Sequence, residues 1–321
     1  MTRIVDTHTH VLGPGHWPSR YFDQIAYNWA YAPRPTRDPA DVREKIEPGL
    51  LDPEGDQMVA DMDAAGVDVS LVLPIDWGPD YDEPELNQPS PQEVHRQVAA
   101  MSERHPGRLL MFAAVDPRRP EAVDILSEAH KNFGACGLKL YPPNGFYPYD
   151  PVCFPVYDYC EQNNLPILFH TGRGGLPTTA PRFADVAFLR DVQARFLRMP
   201  IWIGHAGGKS GWDDALTVLS TGASSYLELS AGIWDDTPEE DIDRLAVLVA
   251  KAAKRFGAHR LLFGSDHVSG RRVRGREFLP HVVKAFLQLP ERAKKQGETI
   301  SEGDMDLIMG ANAAEQIGLR S

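Results

Sequence analysis

Two histidines near the start of the chain, His8 and His10, have the spacing of a metal-binding pair. They end a segment with strand character, and Gly13-Pro14-Gly15 stops that strand soon after. Residues two apart on a strand point to the same face, so both imidazoles project together from Cα atoms about 7 Å apart. Such a pair can bind one divalent metal ion at about 2.1 Å from each nitrogen. Taken alone, it also fits one packed and one surface histidine.

Further polar residues stand at the ends of other apolar segments. Each follows a strand of the buried type and precedes a turn: Lys139, His170, His205 and Asp266. Buried ionisable groups are costly unless they are paired or bind a metal. Four histidines and one aspartate at equivalent positions are therefore hard to explain as packing. Imidazole and carboxylate ligands suit Zn²⁺ first, and also Mn²⁺ or Fe²⁺.

Eight nearly continuous apolar strands alternate with helices along the chain. This pattern is typical of a parallel sheet covered by helices, and eight repeats predict a single (β/α)8 (TIM) barrel with a long insertion after its first strand. An open doubly wound sheet is the alternative, but no GxGxxG motif opens a helix after a strand. No change of composition marks a linker, so one domain is predicted over residues 1–321. The strand ends of such a barrel share one rim, which would gather the polar residues.

The insertion, Leu12 to Asp52, is rich in Pro, Trp, Tyr and Arg and shows no periodicity. Because disordered linkers are poor in aromatic residues, we expect an ordered loop that covers the predicted metal site. A packing flap without ligand contact is the alternative. Further along, one helix is expected to begin at Asp52-Pro53 and another to span Arg182 to Leu197.

The bulk composition limits the partners. The chain has 321 residues, of which 42% are hydrophobic and 24% charged, as in ordinary soluble proteins. A formal net charge of −12 argues against nucleic acid or an anionic membrane as the main partner. Three cysteines without CxxC spacing argue against a disulfide framework or a thiolate zinc site. With no leader or membrane-length apolar run, we expect a cytoplasmic protein that acts on a small molecule.

The motifs resemble those of the amidohydrolase superfamily, and more narrowly the amidohydrolase-related branch that contains aminocarboxymuconate semialdehyde decarboxylase. The resemblance covers essentially the whole chain and depends on the order and strand positions of six motifs. They are Asp6-Thr7-His8-Thr9-His10, Gly137-Leu138-Lys139-Leu140, Leu168-Phe169-His170-Thr171-Gly172, Ile203-Gly204-His205-Ala206-Gly207, Leu262-Phe263-Gly264-Ser265-Asp266 and Met309-Gly310-Ala311-Asn312-Ala313.

The resemblance implies a ligand set and an assembly. One metal ion would be bound by four residues, with His205 beside them as an acid–base or polarising group. The four are His8, His10, His170 and Asp266. In other branches a lysine on the fourth strand is carboxylated and bridges two metals, but in this branch the lysine that corresponds to Lys139 usually belongs to a one-metal site, and we expect one metal here. Pairing of Lys139 with a neighbouring acid is the structural alternative. The resemblance also implies that this chain forms a homo-oligomer, with a dimer as the expected assembly.

Two reactions fit this set. A bound metal ion lowers the pKa of its water toward about 7, so hydrolysis of a small ester, lactone or amide could follow, with Asp266 accepting the proton and His205 polarising the carbonyl. The alternative is non-oxidative decarboxylation of an unsaturated or aromatic acid. Decarboxylases of the branch usually have His-Pro after the fifth strand. This chain has His170-Thr171-Gly172-Arg173-Gly174-Gly175, which favours the hydrolase.

Several residues are candidates to bind an anionic substrate. Lys139 and three arginines could bind a carboxylate, although an arginine alone is more often a surface residue. The arginines are Arg34, Arg37 and Arg173. Tyr141 and Trp234 could line the pocket or simply pack. A non-catalytic metal-binding barrel and a metal-independent hydrolase are the rival classes, and the complete ligand set argues against both.

Overall fold

Parallel strands alternate with helices through the residues that the computed structural model describes, 3–32, 36–81, 88–172, 179–230, 232–233, 237–270 and 276–319. The strands are β1 (Val5–His10), β2 (Val69–Val72), β3 (Leu109–Met111), β4 (Ala113–Ala114), β5 (Leu138–Leu140), β6 (Ile167–Phe169), β7 (Ile201–Ile203), β8 (Ser225–Glu228), β9 (Leu261–Leu262) and β10 (His267–Val268). The helices are α1 (Ser19–Tyr31), α2 (Pro39–Leu50), α3 (Asp56–Ala65), α4 (Pro91–Arg104), α5 (Ala122–Phe133), α6 (Phe154–Asn163), α7 (Leu189–Arg195), α8 (Gly208–Thr221), α9 (Glu239–Phe256), α10 (Phe278–Leu287), α11 (Leu289–Lys295), α12 (Glu302–Asp306) and α13 (Asn312–Gln316). Among the helices described, none combines the length and the apolar character needed to cross a bilayer.

The strands close into a ring with eight positions. Two parallel sheets, ordered β10-β1-β2-β3 and β4-β5-β6-β7-β8-β9, meet at two junctions. At one junction β3 and β4 are a single strand interrupted at Phe112, whose N–H donates to the carbonyl of Val72 over 3.1 Å. At the other, the N–H of Thr7 on β1 donates to the carbonyl of Phe263, just after β9, over 3.1 Å. The predicted (β/α)8 barrel is confirmed.

An apolar layer fills the barrel below the rim. Five side chains of one buried cluster belong to it: Leu71, Phe112, Leu168, Trp202 and Leu262. Because alternate residues of a strand share a face, Leu168 places His170, two residues later, toward the same interior. Buried apolar surface contributes roughly 25 cal/mol per Å², so this layer gives the polar rim a stable base.

The insertion after β1 is helical, which corrects the irregular loop expected from the sequence. Its buried apolar residues recur at every fourth position, Phe22, Ala26 and Ala30 on α1 and Val42, Ile46 and Leu50 on α2. That spacing places them on one face of each helix. The period is hard to see in the sequence because exposed aromatic residues such as Tyr27 and Tyr31 lie between them.

The insertion leaves the barrel and returns to it at the same place. Leu12 and Leu51 form an isolated parallel bridge. The N–H of Asp52 also donates to the carbonyl of Leu12 over 2.9 Å. Both ends of the two-helix insertion are therefore fastened to each other just beyond β1.

Two other helix boundaries differ from those expected. α3 begins at Asp56 instead of beside Pro53, although the Asp52 carboxylate still accepts from the N–H of Met58 at 2.8 Å. The helix expected over Arg182 to Leu197 is broken into two 3₁₀ turns, Pro181–Ala184 and Val186–Phe188, followed by α7. Asp185 causes the break, because its side chain accepts from the N–H of Ala187 at 3.1 Å and holds extended backbone.

A π-helical turn, Leu307–Ala311, packs against the start of β1 through Gly310. A β-carbon at Gly310 would overlap the carbonyl oxygen of Arg3 and lie 3.0 Å from the nitrogen of Val5. We expect Gly310→Ala to lower the free energy of unfolding by about 1–3 kcal/mol, because backbone must move to admit the methyl group.

Urea denaturation of the whole chain measures this effect. Gly303→Ala in α12 is the matched control, because the nearest atom would lie 3.9 Å from its added carbon. That variant should be neutral or slightly stabilising. Equal midpoints for the two variants would contradict the close approach at Gly310.

Candidate metal centre

Three ligand atoms converge where β1 ends. Nε2 of His8 lies 3.7 Å, and Nε2 of His10 lies 3.5 Å, from Oδ1 of Asp266. The ligand atoms of these three residues all lie within 4.8 Å of one another. The N–H of Asp266 donates to the carbonyl of His8 over 2.9 Å, which fastens the segment after β9 to β1. These residues could hold a metal ion.

The other ring nitrogen of each histidine is held by an acceptor. Nδ1 of His8 lies 2.9 Å from Oε2 of Glu228, and Nδ1 of His10 lies 2.7 Å from the carbonyl oxygen of Leu73. Because these oxygens accept, each Nδ1 carries a proton, and in the neutral ring that binds a metal the lone pair lies on Nε2, the nitrogen that faces Asp266. Two imidazole nitrogens and a carboxylate that face one point are suitable ligands for a divalent metal ion. The hydrogen bonds from each Nδ1 are of the kind that metal-binding histidines usually make.

His205 lies between His8 and His170. Its ring centroid is 4.6 Å from that of each. Nε2 of His205 lies 3.0 Å from Nδ1 of His170, and its Nδ1 lies 2.8 Å from the hydroxyl oxygen of Ser230. Burial, followed by the neighbouring His8, lowers the pKa of His205 to about 3, so its ring is neutral near pH 7. The structure thus brings both predicted histidines beside the three converging residues.

Backbone at the site lies partly in the left-handed region. The φ angles are +57° at His205, +47° at Ala206 and +58° at Asp266. A residue other than glycine pays of order 1–3 kcal/mol for such a conformation, which persists where the surroundings enforce it and is common at functional sites. Here the turns aim His205 and Asp266 back over the barrel mouth.

Lys139 on β5 lies beneath the converging atoms. Its Nζ is 3.1 Å from Nε2 of His8, and only 2% of the residue is exposed. Burial lowers the pKa of Lys139 to about 8, and burial together with the adjacent lysine lowers the pKa of His8 well below its usual value. Burial alone would raise the pKa of Asp266, but the surrounding histidines hold it well below its usual value. The site therefore combines a carboxylate, neutral imidazoles and one ammonium group.

A cavity of about 320 Å³ opens above these residues. Its aromatic walls are Trp17, Tyr21, Trp29 and Tyr141. The ring centroid of Tyr141 lies 4.6 Å from that of His170, and the centroid of Trp17 lies 6.2 Å from that of His10. Since Trp17 precedes α1 and Tyr21 and Trp29 belong to it, the insertion covers this end of the barrel.

The family model described as "Amidohydrolase" matches residues 5–319, nearly the whole chain. The chain belongs to the amidohydrolase family. It has no match among curated proteins.

Solved structures similar to this amidohydrolase include both decarboxylases and a hydrolase. 2,6-Dihydroxybenzoate decarboxylase from Rhizobium is 17% identical, with a TM-score of 0.65 over 99% of each chain. 5-Carboxyvanillate decarboxylase from Novosphingobium aromaticivorans, complexed with manganese and 4-hydroxy-3-methoxy-5-nitrobenzoic acid, is 14% identical, with a TM-score of 0.67 over 99% of this chain and 96% of that one. A probable 2-pyrone-4,6-dicarboxylic acid hydrolase from Acinetobacter baumannii, with citric acid bound, is 14% identical, with a TM-score of 0.61 over 99% of this chain and 100% of that one. At these identities the likeness shows the shared fold.

The remaining predicted site residues of the amidohydrolase fall into two groups. Arg34, Arg173 and Trp234 lie outside the described residues. Arg37 is exposed, and its guanidinium donates to the carbonyl of Trp29 over 2.7 Å, outside the lining of the cavity. A contact between Arg37 and substrate therefore stays a prediction.

Sequence reasoning missed Glu228 and Ser230. Glu228 ends β8 fully buried, and it fixes the ring of His8. Burial raises the pKa of Glu228 above its usual value, and the hydrogen bonds that the carboxylate accepts offset only part of this effect. An acidic residue within the apolar run Tyr226-Leu227-Glu228-Leu229 is the same signal that singled out Lys139 and His170, so Glu228 was within reach of the same reasoning.

Proposed function

We propose that this amidohydrolase is a metal-dependent decarboxylase of a small, planar, unsaturated or aromatic carboxylic acid. The observation that carries the proposal is the aromatic wall beside the ligand set, where Trp17 flanks His10 and Tyr141 flanks His170. Aromatic rings that line a small cavity favour a flat substrate, through offset or edge-to-face contacts. The decarboxylase relatives support the same substrate class.

The size and charge of the cavity agree with one aromatic ring. Its volume of about 320 Å³ is at the small end of ligand pockets, which span roughly 300–1,000 Å³. Lys139 supplies a cation in the described lining, next to Asp266. A carboxylate that meets this ammonium group in an apolar surrounding loses most of its water, which strengthens the attraction.

One divalent ion, held by His8, His10 and Asp266 with His170 as fourth ligand, is part of the proposal. When bound, such an ion would act as a Lewis acid and orient the carboxylate and a neighbouring oxygen. Zn²⁺, Mn²⁺ and Fe²⁺ all suit imidazole and carboxylate ligands. Manganese in the 5-carboxyvanillate decarboxylase relative makes Mn²⁺ as strong a candidate as the Zn²⁺ favoured by the sequence.

The protein groups would divide the work of decarboxylation. Lys139 and the aromatic walls position the acid and exclude water. As the bond to the carboxyl carbon breaks, CO₂ leaves and its electron pair stays on the ring carbon, which takes up one proton. His205 borders the cavity and is placed to relay that proton from solvent, because its neutral ring can take up a proton and pass it to the carbon, the task of an acid–base group.

Hydrolysis of a small ester, lactone or amide is the second candidate. The observation that favours it is the residue after His170, which is Thr171 where the decarboxylases of the resembled branch usually have proline. The Thr171 hydroxyl donates to the carbonyl of Gly204 over 2.6 Å and accepts from the N–H of Gly207 at 3.0 Å. These two hydrogen bonds join Thr171 to the segment that follows β7, and a proline at this position, which has no hydroxyl, could not make them.

A paired assay distinguishes the two reactions. The protein would be stripped of metal, reloaded with Zn²⁺, Mn²⁺ or Fe²⁺, and offered hydroxybenzoic acids in one series and lactones, esters and amides in the other. We expect release of CO₂ from at least one hydroxylated benzoic acid, dependent on added metal. Turnover of the second series alone would replace decarboxylation by hydrolysis, and activity that survives complete removal of metal would overturn the metal-dependent mechanism.

A further inference from the structure

Glu228 and Ser230 lie between the rings of His8 and His205. The hydroxyl oxygen of Ser230 is 3.0 Å from Nδ1 of His8 and 2.8 Å from Nδ1 of His205. It is also 2.8 Å from Oε2 of Glu228, which accepts the backbone N–H of His205 at 3.1 Å. Glu228 is 0% and Ser230 2% exposed, so bulk water does not compete for these bonds.

The fold leaves room for this arrangement. A β-carbon at Gly264 would overlap Oε1 of Glu228 and lie 3.0 Å from the β-carbon of His8. The same Oε1 accepts the N–H of Ser230 at 2.8 Å. The absence of a side chain at Gly264 therefore lets the carboxylate reach under His8, and backbone holds its second oxygen in place.

Counting protons gives the direction of each bond. A carboxylate only accepts, so the Ser230 hydroxyl and Nδ1 of His8 both donate to Glu228. The hydroxyl has one hydrogen, and its oxygen must then accept from His205, whose Nδ1 carries the ring proton. Nε2 of His205 is left as an acceptor 3.0 Å from Nδ1 of His170, so His170 donates there.

Donation in the opposite direction, from the Ser230 hydroxyl to His205, is less favourable. If Ser230 donated to His205, Glu228 would lose a charge-assisted hydrogen bond in a buried site, where such bonds are about twice as strong as neutral ones. His205 would then carry its proton on Nε2 and donate to Nδ1 of His170. The two possible directions of the bond between Ser230 and His205 thus predict opposite tautomers for the rings of His205 and His170.

We infer that Glu228 and Ser230 are positioning residues that set the ring tautomers of His8 and His205, and through His205 that of His170. All three rings carry their proton on Nδ1. The consequence, which rests on the proposed function, is that His170 as well as His8 offers an unprotonated Nε2 to a metal ion.

Nitrogen spectroscopy of the whole protein tests the tautomers without any substrate. In metal-free protein labelled with ¹⁵N-histidine, long-range proton–nitrogen correlations distinguish a ring protonated at Nδ1 from one protonated at Nε2. We expect the Nδ1–H pattern for His8, His170 and His205, with signals assigned from a His205→Asn spectrum. An Nε2–H pattern for His205 in the parent protein would overturn the inference.

Ser230→Ala should remove the Nδ1–H pattern of His205 and leave His10 unchanged, because His10 is held independently by the Leu73 carbonyl. Ser70→Ala is the matched control, a buried serine of β2 whose hydroxyl has no hydrogen-bond partner within the described part of the chain. Ser230→Thr, which keeps the hydroxyl, should restore the parent pattern. A Ser230→Ala spectrum identical to that of the parent would refute the role of Ser230.

Zinc affinity gives a second readout. Outer hydrogen-bond partners of metal ligands are typically worth roughly 10–100-fold in metal affinity. Competition with a chelator should show a loss of that size for Ser230→Ala and none for Ser70→Ala. If the parent shows the expected tautomers but binds no Zn²⁺, Mn²⁺ or Fe²⁺, the proposed function fails while the tautomer assignment stands.

Discussion

Replacing His10 by alanine is expected to weaken the binding of the proposed divalent metal ion about 100-fold. Metal sites with four protein ligands bind with about 10–16 kcal/mol, so the loss of one ligand should weaken binding by about 3 kcal/mol, or roughly 10²-fold. The reason is geometric: Nε2 of His10 is one of the three atoms that converge within 4.8 Å at the end of β1. Elemental analysis of purified and of reconstituted protein measures the result.

His130→Ala is the matched control for the metal measurement. His130 lies on α5, where Nδ1 contacts the hydroxyl of Tyr159 at 3.0 Å, far from the barrel mouth in the topology. This variant should keep the same metal content as the parent protein, for which we predict about one ion per chain. Equal metal content in the His10 and His130 variants would refute the ligand assignment. Two ions per chain with a carboxylated Lys139 would overturn the one-metal prediction alone.

Replacing His205 by alanine is expected to leave the proposed metal ion bound, with at most the roughly 10–100-fold weaker affinity that follows from losing an outer hydrogen-bond partner of His170, and to remove most of the activity. A general acid–base group contributes roughly 10²–10⁴-fold to turnover. The prediction follows from the position of His205, which borders the cavity and is not part of the group His8, His10 and Asp266, although its ligand atom also lies within 4.8 Å of those of His8 and Glu228. Turnover of an acid identified in the paired assay, measured together with metal content, tests both parts.

A second variant separates the loss of the imidazole from a disturbance of the backbone. His205 has φ +57°, a region that asparagine tolerates better than alanine. His205→Asn should therefore keep the turn and the metal and still lose activity to the same degree. Loss of metal in both variants, with the fold intact, would make His205 a ligand and would change its assigned role.

The barrel could be predicted because its signals are local. Each strand is a short apolar run bounded by turn residues, and each rim residue interrupts such a run at its end, as Lys139 and Asp266 do. The helices of the insertion could not be predicted in the same way. Their apolar faces repeat every fourth residue, but the exposed Tyr27 and Tyr31 of α1 carry aromatic side chains outside that face, so composition hides the period.

The inner arrangement of the site lay beyond a reading of the sequence. The contact between His8 and Glu228 joins residues 220 positions apart and depends on strand register. His170 is not among the three residues whose ligand atoms converge, although its motif places it at a strand end as theirs do. The sequence indicated His8, His10 and Asp266, whereas Glu228 and Ser230 and the pairing of all these side chains became visible only in the structure.

The fastening of Leu12 to Leu51 has a consequence for how such a protein can diversify. The two ends of this segment already touch, so it can be lengthened, shortened or exchanged without shifting the register of the neighbouring strands. The reason is that the entropic cost of closing a loop depends only weakly on its length. The residues between those ends line the substrate side of the cavity, whereas the candidate metal ligands all lie outside them. Part of the cavity wall and the candidate metal ligands therefore come from separate parts of the chain, and we expect an exchange of residues 13–50 between two barrels to change that wall while leaving the ligands, Lys139 and Tyr141 in place.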